Sequence, residues 1–163
     1  MTIATIDFAG LYRDHYAAAN RKPKSAAAWD SRAADMSSKA RRSHYVEDFI
    51  SRMDLTGAQT LLDVGCGPGT ICLPLAERLQ RVIGLDFSRG MLDALLDNAA
   101  ALGQNNVEAL HLGWEDDWSA VPVCDIVIAS RSTTVADMEA ALHKLNDKAR
   151  HRVYLTCLAG GRF

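Results

Sequence analysis

The chain has no apolar run approaching the roughly 20 residues a membrane-spanning helix needs, so no membrane partner is expected. It also lacks a charged N-terminal segment leading into an apolar stretch, which makes a cytoplasmic location the expectation. Neither sign of charge is in excess. Eighteen Lys and Arg against 20 Asp and Glu leave a net −2, a balance that is not strongly nucleic-acid-like and selects no partner class. Cysteine is sparse: Cys66, Cys72, Cys124 and Cys157 form no C-x-x-C pair and fall mostly within apolar patterns, so they are expected as reduced, buried thiols. No metal site is expected. The five histidines (His15, His44, His111, His143, His151) are scattered, and no Ser-His-Asp or Cys-His signature is present, so no catalytic residue is assigned.

What is present describes one soluble domain: 163 residues, 48% apolar and 23% charged. Two regimes divide it. Residues 1–54 read as an Ala-rich helical segment, broken near "NRKPK", where Pro23 disfavours helical geometry in the residue before it. Residues 55–163 alternate short apolar runs with amphipathic segments, the order of a parallel sheet covered by helices. Strands are expected at about Thr60–Val64, Arg81–Asp86, Val107–Leu112, Asp125–Ser130 and Arg152–Leu158, most of them buried on both faces. Between them, Ser88 reads as the N-cap of "RGMLDALLDNAAAL" with Gly103 as its stop. Pro74 stands near the first turn of "TICLPLAERL", and "VADMEAALHKLNDKA" is a helix with Val135, Met138, Ala141, Leu142 and Leu145 on one face.

The stretch "LLDVGCGPGT" carries the chemistry. Gly65, Gly67 and Gly69 follow a buried strand and open a helix, so backbone amides there can approach a ligand with no Cβ in the way. Spacing separates the designs that use glycine this way. A Walker loop needs Gly-Lys-Ser/Thr, and no lysine lies between Gly65 and Arg78. The dinucleotide fingerprint G-x-G-x-x-G needs a third glycine where Thr70 or Cys72 stands, which weakens a hydride-transfer reading. An acid, Asp86, closes the next strand in "VIGLDFS", about twenty residues on, where it can accept both hydroxyls of a ribose. A helix-start aspartate is the plainer reading of the same residue.

The pattern Asp63-x-Gly65-x-Gly67-x-Gly69 resembles the first motif of the class I S-adenosylmethionine-dependent methyltransferases, strongest over Leu61–Ser88. The resemblance implies an α/β, Rossmann-like three-layer sandwich with about five parallel strands and an N-terminal helical segment. It implies S-adenosyl-L-methionine as cofactor, with the glycine loop around its amino-acid end and ribose. Asp86 would hold the ribose, Phe87 and Met91 would border the adenine, and Ser130 would face the methionine portion. In "LGWEDDW", Trp114 would pack on the adenine and Glu115 or Asp116 would pair with its amino group. Phe87 and Met91 could equally be plain core, and Trp114 could simply cover the sheet edge. Trp29, Asp30 and Arg32 resemble the lid of small-molecule methyltransferases of the ubiquinone-biosynthesis type.

An Asn/Asp-Pro-Pro-aromatic run, typical of amino-group methyltransferases acting on nucleobases or glutamine, is absent; "IASRSTT" stands there instead. Arg131 could bind an anionic substrate or serve as an ordinary ion-pair partner. His44 and Tyr45 could act near the substrate, although packing or solvent is their commoner fate. The expected function is therefore methyl transfer to a small-molecule acceptor, with nucleic acid not expected. Two alternatives stay open: an RNA methyltransferase using Lys39, Arg41 and Arg42, or a non-catalytic cofactor-binding or interaction module. The resembled fold has seven strands and this chain ends just past the fifth, so the core is expected to be incomplete at its C-terminus, with an open edge able to pair in a homodimer.

Overall fold

The computed structural model describes residues 5–19, 24–40 and 44–157. Its centre is a five-stranded, wholly parallel sheet of β1 (Thr60–Val64), β2 (Arg81–Asp86), β3 (Val107–His111), β4 (Cys124–Ser130) and β5 (Ala149–Thr156). The strand order is β3-β2-β1-β4-β5, so the chain first builds outward from β1 to one side and then crosses to the other. That reversal beside β1 is where open α/β sheets bind ligands, outside the carboxyl ends of the strands. The glycine loop leaves β1 at this point.

Period-two alternation explains why both faces of the central strands are buried. Leu61, Val82, Ile126 and Ile128 face one side, where they pack with Leu75, Leu79, Leu92 and Leu95 from α5 (Cys72–Ala76), α6 (Arg89–Ala101) and the loop between. Leu62, Val64, Ile83, Leu85 and Val127 face the other side, against Trp118, Val121 and Leu145 of α7 (Met138–Asp147). Each fully buried Leu or Ile stabilises the fold by about 1.5–3 kcal/mol. Helix ends follow local chemistry. The Ser88 hydroxyl accepts the Met91 amide at 3.2 Å, the Asp137 carboxylate accepts the Ala140 amide at 3.0 Å, and α6 stops before Gly103 at φ +70°.

Before β1 lie α1 (Phe8–Ala18), α2 (Ala26–Asp30), α3 (Ala33–Ala40) and α4 (His44–Ser51). The last presents Val46 and Phe49 to the core, while α2 and α3 lie on α6 and α1 lies on α7.

Several expectations are corrected. Strands β3 and β5 are the sheet's edges among the described strands and only half-buried, because each has a neighbour on one side alone. β3 ends at His111, β4 starts at Cys124, and β5 starts at Ala149, three residues early, since Cys124 and Ala149 already pair. The last helix begins at Met138, capped by Asp137, so Val135 is buried outside it, and Leu142 turns to solvent rather than to the core. Cys157 is exposed, unlike Cys66, Cys72 and Cys124, because it follows the end of an edge strand. The side chains of Lys39, Arg41 and Arg42 lie outside the described residues.

Candidate cofactor and acceptor site

Three glycines after β1 adopt left-handed backbone, with φ of +69°, +54° and +90° at Gly65, Gly67 and Gly69. Their surroundings differ. A methyl group at Gly65 would fall on Ser132, and one at Gly69 would lie 2.5 Å from Leu73 Cγ and 2.7 Å from Leu95 Cδ1. At Gly67 its nearest neighbours would be Met36 Cε and Met91 Sδ, both at 3.9 Å. Gly65 and Gly69 are therefore required by packing, whereas Gly67 is buried beneath two methionine side chains with room for a Cβ.

Asp86 meets that backbone. One carboxylate oxygen accepts the Gly67 amide at 2.9 Å and the other accepts the Ser88 amide at 2.9 Å, tying the end of β2 to the loop after β1. Burial raises its pKa, opposed by the amides of Ser88, Gly67 and Phe87. Asp63, at the foot of the loop, is 2% exposed, and its pKa is pushed up to about 7. Burial is the main cause, the Asp86 charge adds to it, and hydrogen bonds from the Cys72 side chain and amide oppose it. Two carboxylates thus share one poorly solvated region beneath the glycine loop, and burial also lifts the thiols of Cys66 and Cys72 well above their ordinary value.

Around Gly113, after β3, Phe87, Glu115 and Asp116 converge: a methyl there would sit 3.4 Å from Phe87 Cβ, 3.5 Å from Asp116 Oδ2 and 3.7 Å from Glu115 Oε2. Asp116 is occupied, accepting the Gly113 amide at 2.6 Å, while among the described residues Glu115 has no hydrogen-bond partner. Phe87 is 41% exposed and Met91 is buried. Trp114 stacks on Trp118 at 5.4 Å and donates its indole N–H to the Ser132 carbonyl, so it knits the loop after β3 to the loop after β4.

Of the expected lid residues Trp29, Asp30 and Arg32, Asp30 reaches the start of α6. Asp30 accepts the Ser88 hydroxyl at 2.5 Å and the Gly90 amide at 2.9 Å, so α2 is latched to the N-terminus of α6. Its pKa is lowered, first by the Ser88 hydroxyl and then by the Gly90 amide. Met36 of α3 follows over Gly67. Ser130, at the end of β4, bonds Tyr45 across 2.7 Å, and the same phenol bonds Thr156 of β5 at 2.7 Å. His44 is fully exposed near Glu47, away from this network.

The sequence motifs do not reveal Met36, Ser132 or a cavity of about 170 Å³ beside Arg131 and Tyr12. Only the run of hydroxyl residues after β4 hints at the second of these. Among the described residues no cluster of three or more His, Cys, Asp or Glu could hold a metal, and no helix is long and apolar enough to cross a membrane.

Against known proteins, the profile of the methyltransferase-domain family matches residues 61–151, the strand–glycine loop–strand unit included. The chain belongs to the class I S-adenosylmethionine-dependent methyltransferases. An uncharacterized protein of Haemophilus influenzae is 38% identical to this chain over 165 residues, all of the present chain and 62% of its own length. The present chain thus spans under two thirds of that relative. Shorter segments resemble enzymes with different acceptors. A tRNA/tmRNA (uracil-C5)-methyltransferase of Ectopseudomonas mendocina is 43% identical over 56 residues, 34% of this chain and 16% of its own. A demethylmenaquinone methyltransferase of Oceanobacillus iheyensis is 35% identical over 74 residues, 44% of this chain and 31% of its own. The crystal structure of an S-adenosylmethionine-dependent methyltransferase from Aquifex aeolicus superposes with a TM-score of 0.61 at 20% identity, covering 81% of this chain and 77% of that one; the two share a fold.

Proposed function

We propose that this chain holds S-adenosylmethionine at the glycine loop and delivers its methyl group to a small-molecule acceptor. The observation that carries the reading is Asp86 fixed on the Gly67 amide, in a loop where only the flexible side chains of Met36 and Met91 lie against Gly67. A cofactor with ribose hydroxyls fits that arrangement, because a buried carboxylate gains from hydroxyl donors and a glycine backbone admits close approach once Met36 swings aside.

In this reading Gly65, Gly67 and Gly69 surround the amino-acid end and ribose, with Asp63 beneath them favouring a cationic group. Phe87 and Met91 border the adenine. Glu115, lacking another partner, receives the adenine amino group in preference to Asp116. Ser130 faces the methionine portion, fixed by Tyr45. When bound, the sulfonium supplies an already activated methyl group, so the residues of the chain need only align the acceptor and exclude water. Residues 1–54 act as the lid and residues 55–163 as the cofactor-binding core.

Calorimetric titration with S-adenosylhomocysteine tests the proposal. Binding is expected, weakened about tenfold or more in Asp86→Asn, since each lost charged hydrogen bond costs about 1.5–3 kcal/mol. A folded chain that binds neither S-adenosylhomocysteine nor S-adenosylmethionine would sink it. The similarity to an RNA uracil methyltransferase gives a second reading, an RNA acceptor, and salt-dependent binding of a structured RNA would favour it over the first.

A further inference from the structure

We infer that the acceptor is a small apolar molecule bearing an anionic group, held by Arg131 in the cavity between α1 and the carboxyl ends of β4 and β5. The inference rests on the methyl-transfer reading above and names the substrate class of that site.

The cavity measures about 170 Å³ and is lined by the rings of Tyr12 and Tyr16, by Met138, and by Thr133, Thr156 and Arg131. A cavity of about 150 Å³ admits a benzene-sized body, so the space suits a molecule of roughly one ring. No carboxylate is among its lining residues, whereas a guanidinium and the imidazole of His15 are. Its walls are built rather than incidental: the Tyr12 hydroxyl donates to the Val135 carbonyl at 2.8 Å, holding α1 against the segment that leads into α7.

Arg131 is the one non-glycine residue with positive φ among the described residues, at +57°. For an arginine this backbone is strained, and strain of this kind persists where surrounding contacts enforce it. Here they do. The Arg131 amide donates to the Thr156 carbonyl at 3.2 Å, and the next residue's hydroxyl, Ser132 Oγ, donates to the Val64 carbonyl at 2.6 Å. The resulting bend lays the guanidinium on the Tyr45 ring, 3.6 Å from its centroid, and that ring is itself fixed through Ser130 and Thr156. Among the described residues no carboxylate pairs with Arg131. A planar cation is thus oriented at a cavity wall with its donors uncommitted, which suits a carboxylate or similar anion.

Position completes the case. Ser132, between the two lining residues Arg131 and Thr133, is the residue that a methyl group on Gly65 would strike. The cavity is thus one residue removed from the glycine loop, at the sheet end where an acceptor has to meet the methyl group.

The test uses benzoate and its uncharged counterpart benzamide as probes, titrated by NMR into the chain with and without saturating S-adenosylhomocysteine. Benzoate is expected to bind about tenfold or more tightly than benzamide, as one charge-assisted contact allows, with the preference shrinking as NaCl is raised. Arg131→Asn, neutral and tolerant of positive φ, should abolish the preference while S-adenosylhomocysteine affinity changes by less than about twofold. Equal binding of the two probes, no benzoate binding at millimolar concentration, or a preference retained in Arg131→Asn would overturn the inference. The probe preference and its salt dependence are read on the unaltered chain, so the inference stays refutable even where Arg131→Asn fails to fold. Failure to bind S-adenosylhomocysteine refutes the methyl-transfer reading alone, because the benzoate preference is measured separately.

Discussion

Replacing Asp63 with asparagine should make the chain more stable above neutral pH and weaken its hold on the cofactor. The wild-type carboxyl lies 2% exposed at the end of β1, with its pKa pushed up to about 7 by burial and, secondarily, by the charge of Asp86. A carboxyl whose pKa is raised on folding keeps its proton in the native state after the unfolded chain has released it. Stability therefore falls as pH rises from about 4 to about 7, and levels off above that window. The interval from 3.8 to about 7 corresponds to about 4 kcal/mol between its ends.

Asparagine keeps the shape of the protonated acid and has no proton to lose, but its second amide N–H costs about 1–3 kcal/mol where it finds no acceptor. Asp63→Asn is thus expected to be no more stable than wild type near pH 4.5, and about 1–3 kcal/mol more stable near pH 8. Urea unfolding of both proteins across that range gives the difference directly. Wild-type affinity for cationic S-adenosylmethionine should also fall as pH drops through about 7, while the variant binds weakly and without pH dependence. Parallel stability curves, or a variant less stable than wild type near pH 8, would refute the reasoning and mean that Asp63 is ionised and held by its neighbours.

Four further substitutions probe the rest of the structure. Asp125→Ala should destabilise by about 2–4 kcal/mol in urea unfolding, because the buried carboxylate accepts the amides of Gln59 and Thr60 at 2.9 and 3.0 Å and also pairs with Arg150. The folded pKa of Asp125 is lowered to about 2, chiefly by the Gln59 amide, so its contribution is complete above about pH 4 and is lost as pH falls toward 2. Gly67→Ala should fold with a loss of about 1–2 kcal/mol yet fail to bind S-adenosylhomocysteine, whereas Gly69→Ala should lose about 3 kcal/mol or more through collision with Leu73 and Leu95. Denaturation and calorimetry on the pair separate a ligand glycine from a packing glycine. Asp30→Ala should release α2 from α6, seen as faster amide exchange over residues 26–37 with the sheet unchanged.

The strands and the glycine loop are legible in the sequence because their signals are local. Val, Ile and Leu runs mark β1, β2 and β4, and the Asp63-to-Gly69 spacing is fixed by the geometry of one strand–loop–helix turn. Ser88 and Gly103 act as the helix start and stop their chemistry implies. Departures follow a residue's place in the sheet: β3, β5 and Cys157 are more exposed than their apolar patterns suggest because they lie at or beyond an edge. Leu142 departs from its pattern because a helix on one face of the sheet buries a narrower stripe than its apolar residues fill. The docking of the N-terminal helices and the cavity are hidden for another reason. Asp30 and Ser88 are 58 residues apart, Tyr45 and Thr156 are 111 apart, and Tyr12 and Val135 are 123 apart, so their meetings follow from packing rather than pattern.

The two ends of the sheet differ in a way that bears on how the site works. At the amino ends of β1 and β4, Asp125 has its oxygens matched by amides, a hydroxyl and a guanidinium, and its pKa is lowered. At the carboxyl ends, Asp63 and Asp86 are both pushed toward the protonated form, three glycines and Arg131 hold left-handed backbone, and Met36 lies over Gly67. A chain selected for stability alone would remove these features. A ligand supplying hydroxyl donors and positive charge would instead offset them, and at 100 times its Kd would add about 2.7 kcal/mol to stability. On the proposed reading, with Met36 over Gly67 and Asp30 bonded to Ser88 and Gly90 at the start of α6, cofactor entry would require α2 and α3 to lift, and measured affinity would be the intrinsic value reduced by the open fraction. Asp30→Ala should therefore raise the association rate for S-adenosylhomocysteine. An unchanged rate would mean that the lid lies outside the entry path.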